Sequence, residues 1–212
     1  MMLNHCFMEN CMENHQNNVT LRQEKKYFFK IYEIIDFEKT IIKRGFKLNH
    51  LPNIVNNIYF DDIQKSSAIE NIEGDQTRSK HRIRWYNDNE SKITLERKIK
   101  LSSSGKKEKI IIEVKDSNMA IIEAERLTGK KAIIQNSYFR KYYLKENIRI
   151  TIDTDLKFKL PKTNNFKIFK GAIVEIKYNT NDDYNVSTLI NNYSQLGKFS
   201  KYLEGLKQFD RI

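Results

Sequence analysis

Arg82 and Arg84 stand two residues apart in the run Arg78-x-Lys80-x-Arg82-Ile83-Arg84-x-Tyr86. Side chains two apart on an extended chain share a face. A strand here carries Arg78, Lys80, Arg82 and Arg84 on one side, with Ile83 and Trp85 on the other. The pattern recurs along the chain. Arg22, Glu24 and Lys26 alternate in one segment, and Glu96, Lys98 and Lys100 alternate in another, opposite Leu95, Arg97 and Ile99. Arg149, Thr151 and Asp153 oppose Ile148, Ile150 and Ile152; Ile173, Glu175 and Lys177 oppose Ala172, Val174 and Ile176.

An ordinary half-exposed antiparallel sheet explains any one of these segments. It explains the set less well, because Arg recurs at alternate positions and Glu-x-Lys appears as Glu24/Lys26, Glu96/Lys98 and Glu175/Lys177. Guanidinium groups are favoured where phosphate is bound by paired hydrogen bonds. If the charged faces line one barrel, they enclose a cavity rich in cations with a few carboxylates. Unpaired buried charge is costly, so such a cavity requires a ligand. A chain of phosphates satisfies the Arg and Lys, and a hard divalent cation satisfies the Glu while bridging to phosphate oxygens.

The chain has 212 residues, a net charge of +11, 39% hydrophobic and 31% charged residues. That is a globular composition, large enough to bury a core without staples, and one that attracts anions. Cys6 and Cys11, with His5 and His15 nearby, lie outside the closed spacing of zinc sites and read as free thiols. No apolar run approaches the roughly 18 residues of a membrane helix, and none resembles a signal peptide. The expectation is a cytoplasmic protein without direct membrane insertion, tethered if at all by an unidentified membrane partner. Aromatic residues do not fall in a nucleic-acid-reading pattern on one strand face, so nucleic acid is not expected as a partner.

Residues 1–20 read as a disordered N-terminal tail and 21–212 as one domain, without a Pro/Gly/Ser linker. Strands are expected over 21–29, 56–62, 78–87, 92–101, 107–115, 137–144, 147–154, 156–160 and 171–178. Helices are expected over 32–44, 117–128, 186–195 and 199–207. The fold class is mainly β with flanking helices.

Several segments in order resemble a known family. They are Arg22-x-Glu24-x-Lys26-Tyr27, Asn57-Ile58-Tyr59-Phe60-Asp61, the arginine strand 78–86, and Leu95-Glu96-x-Lys98 followed by the lysines of 106–109. Tyr138-x-Arg140, Arg149-Ile150-Thr151-Ile152-Asp153, Glu175-Ile176-Lys177 and Lys198-Phe199-Ser200-Lys201-Tyr202 complete the series. Together they resemble the catalytic domain of the vacuolar transporter chaperone (VTC) type, within the triphosphate tunnel metalloenzyme (CYTH-like) superfamily. The resemblance covers about residues 22–206.

The resemblance implies an eight-stranded antiparallel β-barrel tunnel and a polyphosphate polymerase. Its substrates are ATP and inorganic polyphosphate, with a divalent metal, Mn2+ or Mg2+, as cofactor. It implies Arg82, Arg84, Arg140 and Arg149, with Lys98 and Lys177, as the catalytic cations. Arg22, Lys26, Lys80, Tyr138, Lys198, Ser200 and Lys201 contact phosphate, and Glu175, Glu24 and Glu96 are metal ligands. Plainer roles stand beside these: Glu24 and Glu96 as partners of neighbouring cations, Lys198 and Lys201 as surface residues, Tyr138 as core, and His50 and His81 as incidental. Many tunnel phosphatases open with E-x-E-x-K, whereas this chain has Arg22 at the first Glu position, which favours the polymerase branch. A tunnel triphosphatase acting on triphosphate or nucleoside triphosphates is the nearest alternative. A non-catalytic module binding polyphosphate or inositol phosphates is the next.

Overall fold

The computed structural model describes residues 22–101, 104–114, 116–190, 195–197 and 199–212. The expected N-terminal tail, with Cys6 and Cys11, and Lys198 lie outside these residues.

Eight long strands dominate the chain: β1 (Arg22–Phe29), β2 (Lys47–Asp61), β3 (Thr77–Tyr86), β4 (Asn89–Leu101), β5 (Ser104–Ile112), β6 (Lys131–Lys145), β7 (Ile148–Lys159) and β9 (Ala172–Asn179). Two short strands, β8 (Lys167–Ile168) and β10 (Gln195–Leu196), join them. All pairings are antiparallel, in the order β10-β1-β9-β7-β6-β2-β3-β4-β5, with β8 on β7. The ladder stays open between its ends, β5 and β10, among the described residues, yet the sheet curls into a barrel-like tunnel. Lys98 on β4 feels the charges of Glu24 on β1 and Glu175 on β9, although these strands are far apart in the ladder.

The aliphatic faces point outward and are covered by helices. Helix α1 (Glu33–Lys43) buries Ile34, Phe37 and Ile41 against Tyr27, Phe29, Ile150, Ile152, Val174 and Ile176. Its first turn carries Glu33 and Asp36 and its last carries Lys43, which suits the helix dipole. Helix α4 (Asp183–Ile190) adds Val186, Leu189 and Ile190 to the same cluster. Helix α3 (Ser117–Thr128) is capped by Asp116, whose side chain accepts from the Met119 amide at 2.9 Å, and stops at Gly129 with φ +66°. It lays Ala120, Ile121 and Ala124 on Ile83, Trp85, Ile93 and Leu95.

The third cluster lies inside the curl. Helix α5 (Lys201–Gln208) brings Tyr202 and Leu206 against Val55, Tyr59, Ile134, Tyr138, Leu156 and Phe158. It fits because residue 205 is glycine: a Cβ there would stand 2.7 Å from Ile134 Cγ1 and 2.9 Å from Phe158 Cδ1. The interior therefore has an apolar floor formed by α5 and a charged remainder.

Asp61, at the end of β2, ties this floor together. It is fully buried and accepts hydrogen bonds from the Tyr202 hydroxyl at 2.6 Å, from Lys130 Nζ at 3.3 Å, and from the amides of Ser67 and Ala68, both at 3.2 Å. Those amides open helix α2 (Ser66–Glu73), so one carboxylate anchors a strand, two helices and a lysine.

The elements differ from the sequence reading in definable places. Strand β2 begins at Lys47, well before 56, because its first half is exposed and lacks an alternating pattern. Helix α2 was not anticipated. The expected strands 147–154 and 156–160 are one strand, β7, interrupted by a bulge. Ser137 pairs with Lys157 and Phe139 with Thr154, so β7 carries one extra residue, and Asp155 takes a left-handed φ of +53°. The helix expected over 186–195 runs instead over Asp183–Ile190, and Gln195–Leu196 pairs with β1.

Replacing Asp61 by alanine leaves the buried Tyr202 hydroxyl without its acceptor and Lys130 with only Ser67 Oγ at 3.4 Å and Asp62 at 3.9 Å. We expect a loss of about 3–5 kcal/mol of stability, in the range for breaking one side of a buried charged network. A denaturant midpoint within error of wild type would show that Asp61 is not the anchor.

Candidate functional site

The site is built from the inward faces of the eight long strands and the start of α5. On β3, Lys80, Arg82 and Arg84 point inward, while Ile83 and Trp85 are buried under α3. On β4 the inward residues are Glu96 and Lys98, on β1 Glu24 and Lys26, and on β9 Glu175 and Lys177. Arg140 projects from β6, and Arg149, Thr151 and Asp153 share the inner face of β7. Lys201 enters from α5.

These charges gather around three carboxylate hubs. Glu96, nearly completely buried, receives Arg82 at 2.6 Å and Lys107 at 2.5 Å, with Arg84 at 3.8 Å. Asp153 is held by Arg140 through two hydrogen bonds of 2.5 and 2.7 Å and by Lys201 at 2.6 Å. The third hub alternates charges: Glu24 meets Lys26 and Lys177, each at 3.2 Å, and Glu175 meets Lys177 at 2.9 Å and Lys26 at 3.8 Å.

Burial raises the Glu96 carboxyl, but Arg82 and Arg84, with hydrogen bonds from Lys107 and Arg82, outweigh it and hold the group at about 2. Burial likewise opposes ionisation of Glu175, and Lys26 and Lys177 nonetheless hold it well below the usual carboxylate range. Asp153 is lowered in the same way by Lys201 and Arg140. Every hub carboxylate is therefore an anion.

The cations outnumber these anions. Among the described residues, Lys98 and Arg149 have no salt-bridge partner, and Lys80 Nζ has only the Ser200 hydroxyl, at 3.0 Å. The excess shows in the ammonium groups. Burial and then the neighbouring Lys26, Arg78, Lys98 and Arg82 push Lys80 down to about 7. Burial, with Lys26 and Lys177, also lowers Lys98. Such a lumen is short of negative charge.

The aromatic and amide side chains complete it. Over the buried Tyr138 ring stand Lys201 Nζ, 4.5 Å from its centroid, and the Arg140 guanidinium, at 5.1 Å. It serves the core and the cation array at once. Tyr59 stacks on Tyr202 with centroids 5.4 Å apart, and its hydroxyl is 3.5 Å from Arg82. Burial raises the Tyr59 phenol, but Arg82, Arg84 and Lys201 bring it below its ordinary value. Arg84 Nε donates to Asn57 at 2.7 Å, and Asn57 donates to Asn136 at 2.8 Å.

The structure thus brings together Arg82, Arg84, Arg140, Lys98, Lys177, Lys26, Lys80, Tyr138, Ser200, Lys201, Glu175, Glu24 and Glu96. It places Arg149 on the same inner face, opposite Lys177 in the ladder. Arg22, the first residue of β1, is opposite Asn179 on β9. Asp153, Lys107 and Tyr59 belong to the array but were not singled out by sequence. Asp153 and Lys107 sit on basic strand faces, which was the available signal. Ser200 has two roles: it caps α5, accepting from the Leu203 amide at 3.4 Å, and it meets Lys80. No three His, Cys, Asp or Glu side chains gather into a metal-binding group among the described residues. Glu24 and Glu175 do place two ionised, hard oxygen donors on one wall, a set that fits Mg2+ or Mn2+ when phosphate oxygens supply the remaining positions.

An antiparallel sheet curled into a barrel-like tunnel with flanking helices defines the fold class. Two solved structures show the same fold. The Pyrococcus horikoshii OT3 protein PH1819 matches with a TM-score of 0.55 at 15% identity, over 88% of this chain and 99% of that one. A Vibrio parahaemolyticus protein assigned as an adenylate cyclase matches with a TM-score of 0.56 at 15% identity, over 89% and 98%. These identities speak to the fold alone. No curated protein sequence is similar to this chain. The VTC domain model matches residues 12–131 and 122–210, and the chain belongs to that family. No helix among the described residues is long and apolar enough to cross a membrane.

Because Lys80 sits near neutrality in the free protein, a bound polyanion should raise its pKa and draw in a proton. Tripolyphosphate affinity is therefore expected to fall as pH rises from 7 to about 9, where free Lys80 has lost its proton. Titration calorimetry at pH 8 in two buffers of different ionisation heat reads this uptake. Lys80→Met should flatten the slope; an identical slope in that variant would assign the proton elsewhere.

Proposed function

We propose that the lumen transfers the terminal phosphate of ATP onto a growing inorganic polyphosphate chain. The observation that carries this reading is the convergence of Arg82, Arg84, Arg140 and Arg149 with Lys80 and Lys98 on one interior, in excess of the carboxylates there. A linear polyphosphate carries the negative charge that would neutralise such an array.

Phosphoryl transfer requires alignment and charge neutralisation more than a protein nucleophile. An oxygen of the chain's terminal phosphate attacks the γ-phosphorus, the bond from that phosphorus to the β-bridging oxygen breaks, and ADP leaves with the electron pair. Arg82 and Arg84 neutralise charge developing on the transferred group, and Glu96 fixes their heads in place. Arg140 and Lys201 grip neighbouring phosphates, oriented by Asp153. Lys26, Lys98, Lys177 and Arg149 extend the positive track, and Arg22 and Lys198, the latter outside the described residues, are the further phosphate contacts of this reading. Ser200 and Tyr138 border it. A divalent metal would be held by Glu175 and Glu24 with phosphate oxygens, supplying Lewis-acid and templating chemistry. Glu96 is the third carboxylate of the metal set; in this state both its oxygens are engaged by cations. Arg22, standing where the phosphatase pattern carries a glutamate, supports chain extension over hydrolysis. The proposed location of this activity is the cytoplasm.

The test is incubation with ATP and Mn2+, followed by gel separation of phosphate polymers and assay of free phosphate. Long polymers are expected. Free phosphate without polymer would make the protein a tunnel triphosphatase, and tripolyphosphate binding without turnover under several metals would make it a binding module.

Arg82→Ala and Arg149→Ala should each lower kcat by about 100-fold or more, the scale of removing a preorganised electrostatic contact, with the circular dichroism spectrum unchanged. Polymer synthesis at the wild-type rate in both variants would remove these arginines from the mechanism. Glu175→Gln should raise the metal concentration for half-maximal activity; an unaltered metal titration would exclude it as a ligand.

A further inference from the structure

Strand β5 ends the sheet, and its outer edge is unpaired among the described residues. Exposed edges are normally guarded by charge or distortion, since a free row of amides and carbonyls invites another strand. Here the guard covers only half of the strand. Lys106, Lys107 and Lys109 protect the first part, and Ile110-Ile111-Ile112 follow without interruption. Ile110 is 55% exposed and Ile111 70% exposed. Beside them on α3, Met119 and Ile122 are 50% and 64% exposed and line the same groove. A contiguous apolar surface next to an open edge is the form of a protein interface.

We propose that this edge is a homotypic interface, in which β5 pairs antiparallel with β5 of a second copy about a two-fold axis at Ile111. A two-fold interface must be self-complementary, and the sequence around Ile111 is. With the axis on that residue, Ile110 opposes Ile112 of the second copy, and Lys109 opposes Glu113 of the second copy, twice by symmetry. Both Lys109 and Glu113 are exposed, and neither has an ion-pair partner within its own chain among the described residues. Neighbouring registers are worse. Moving the axis between Ile110 and Ile111 sets Glu108 against Glu113, and moving it between Ile111 and Ile112 sets Glu113 against Ile110. Opposite charges across a ladder stabilise it and like charges destabilise it, which favours the Ile111 axis; an axis on Ile110 would set Lys107 against Glu113, but Lys107 is already held by Glu96. Pairing there also covers the apolar groove beside α3.

Sedimentation velocity on the full chain across the micromolar range tests this. A dimer is expected. Lys109→Glu places glutamate against Glu113 and should weaken dimerisation at least tenfold. The double variant Lys109→Glu/Glu113→Lys regains complementarity and should recover the dimer. Both positions are exposed, so thermal unfolding should confirm that each variant is folded. A wild-type monomer throughout overturns the proposal, as does a dimer indifferent to Lys109→Glu or a double variant that stays monomeric. A dimer that forms only after residues 1–21 are removed also overturns it, by making that segment the natural cover of the groove.

Discussion

Like charges forced onto the inner wall of a curled sheet are the constraint on which this structure depends. In water the cations of β3, β4 and β6 would repel each other weakly; inside the curl, with little solvent between them, the repulsion is stronger. The fold answers it with Glu96, Asp153 and the Glu24/Glu175 pair, each shared among several cations. A carboxylate shared by two or three cations fixes their heads as well as neutralising them. Arg82 and Lys107 are set by Glu96, and Arg140 and Lys201 by Asp153. The arrangement stops short of neutrality, and the depressed Lys80 records what remains. On the proposed reading, a bound polyanion would supply the negative charge that the lumen lacks.

The C-terminal helix joins this electrostatic system to the apolar floor. Lys201 reaches Asp153, and one residue further along Tyr202 reaches Asp61 while stacking on Tyr59. The first turn of α5 therefore links the lumen wall to the core, and Ser200 at its cap touches Lys80. Displacing α5 would loosen the basic array and the floor together, so its position is inseparable from the site.

The strand faces were legible because a period of two survives in sequence whenever one side is oily and the other charged. Arg82/Arg84 against Ile83/Trp85, and Glu175/Lys177 against Val174/Ile176, show it directly. Long-range electrostatics were not legible. The sharing of Asp153 by Arg140 and Lys201 joins residues 13 and 48 positions away in the chain. The first half of β2 escaped notice because it is exposed on both faces and contains Pro52, so pairing with β6 rather than its own pattern makes it a strand. Helix α2 is short, and its start is capped by Asp61 and Asp62 from the preceding strand and turn.

The bulge in β7 divides the vessel into two kinds of interior. Before it, odd-numbered residues, Arg149, Thr151 and Asp153, look inward; after it, even-numbered Leu156 and Phe158 do. One surplus residue thus lets a single strand furnish both the wet wall and the greasy base. Deleting that residue would turn the downstream greasy side chains out toward solvent while sparing Arg149 upstream. The boundary between ligand chamber and foundation is thus drawn by a count of residues, and Asp155 is where that count is kept.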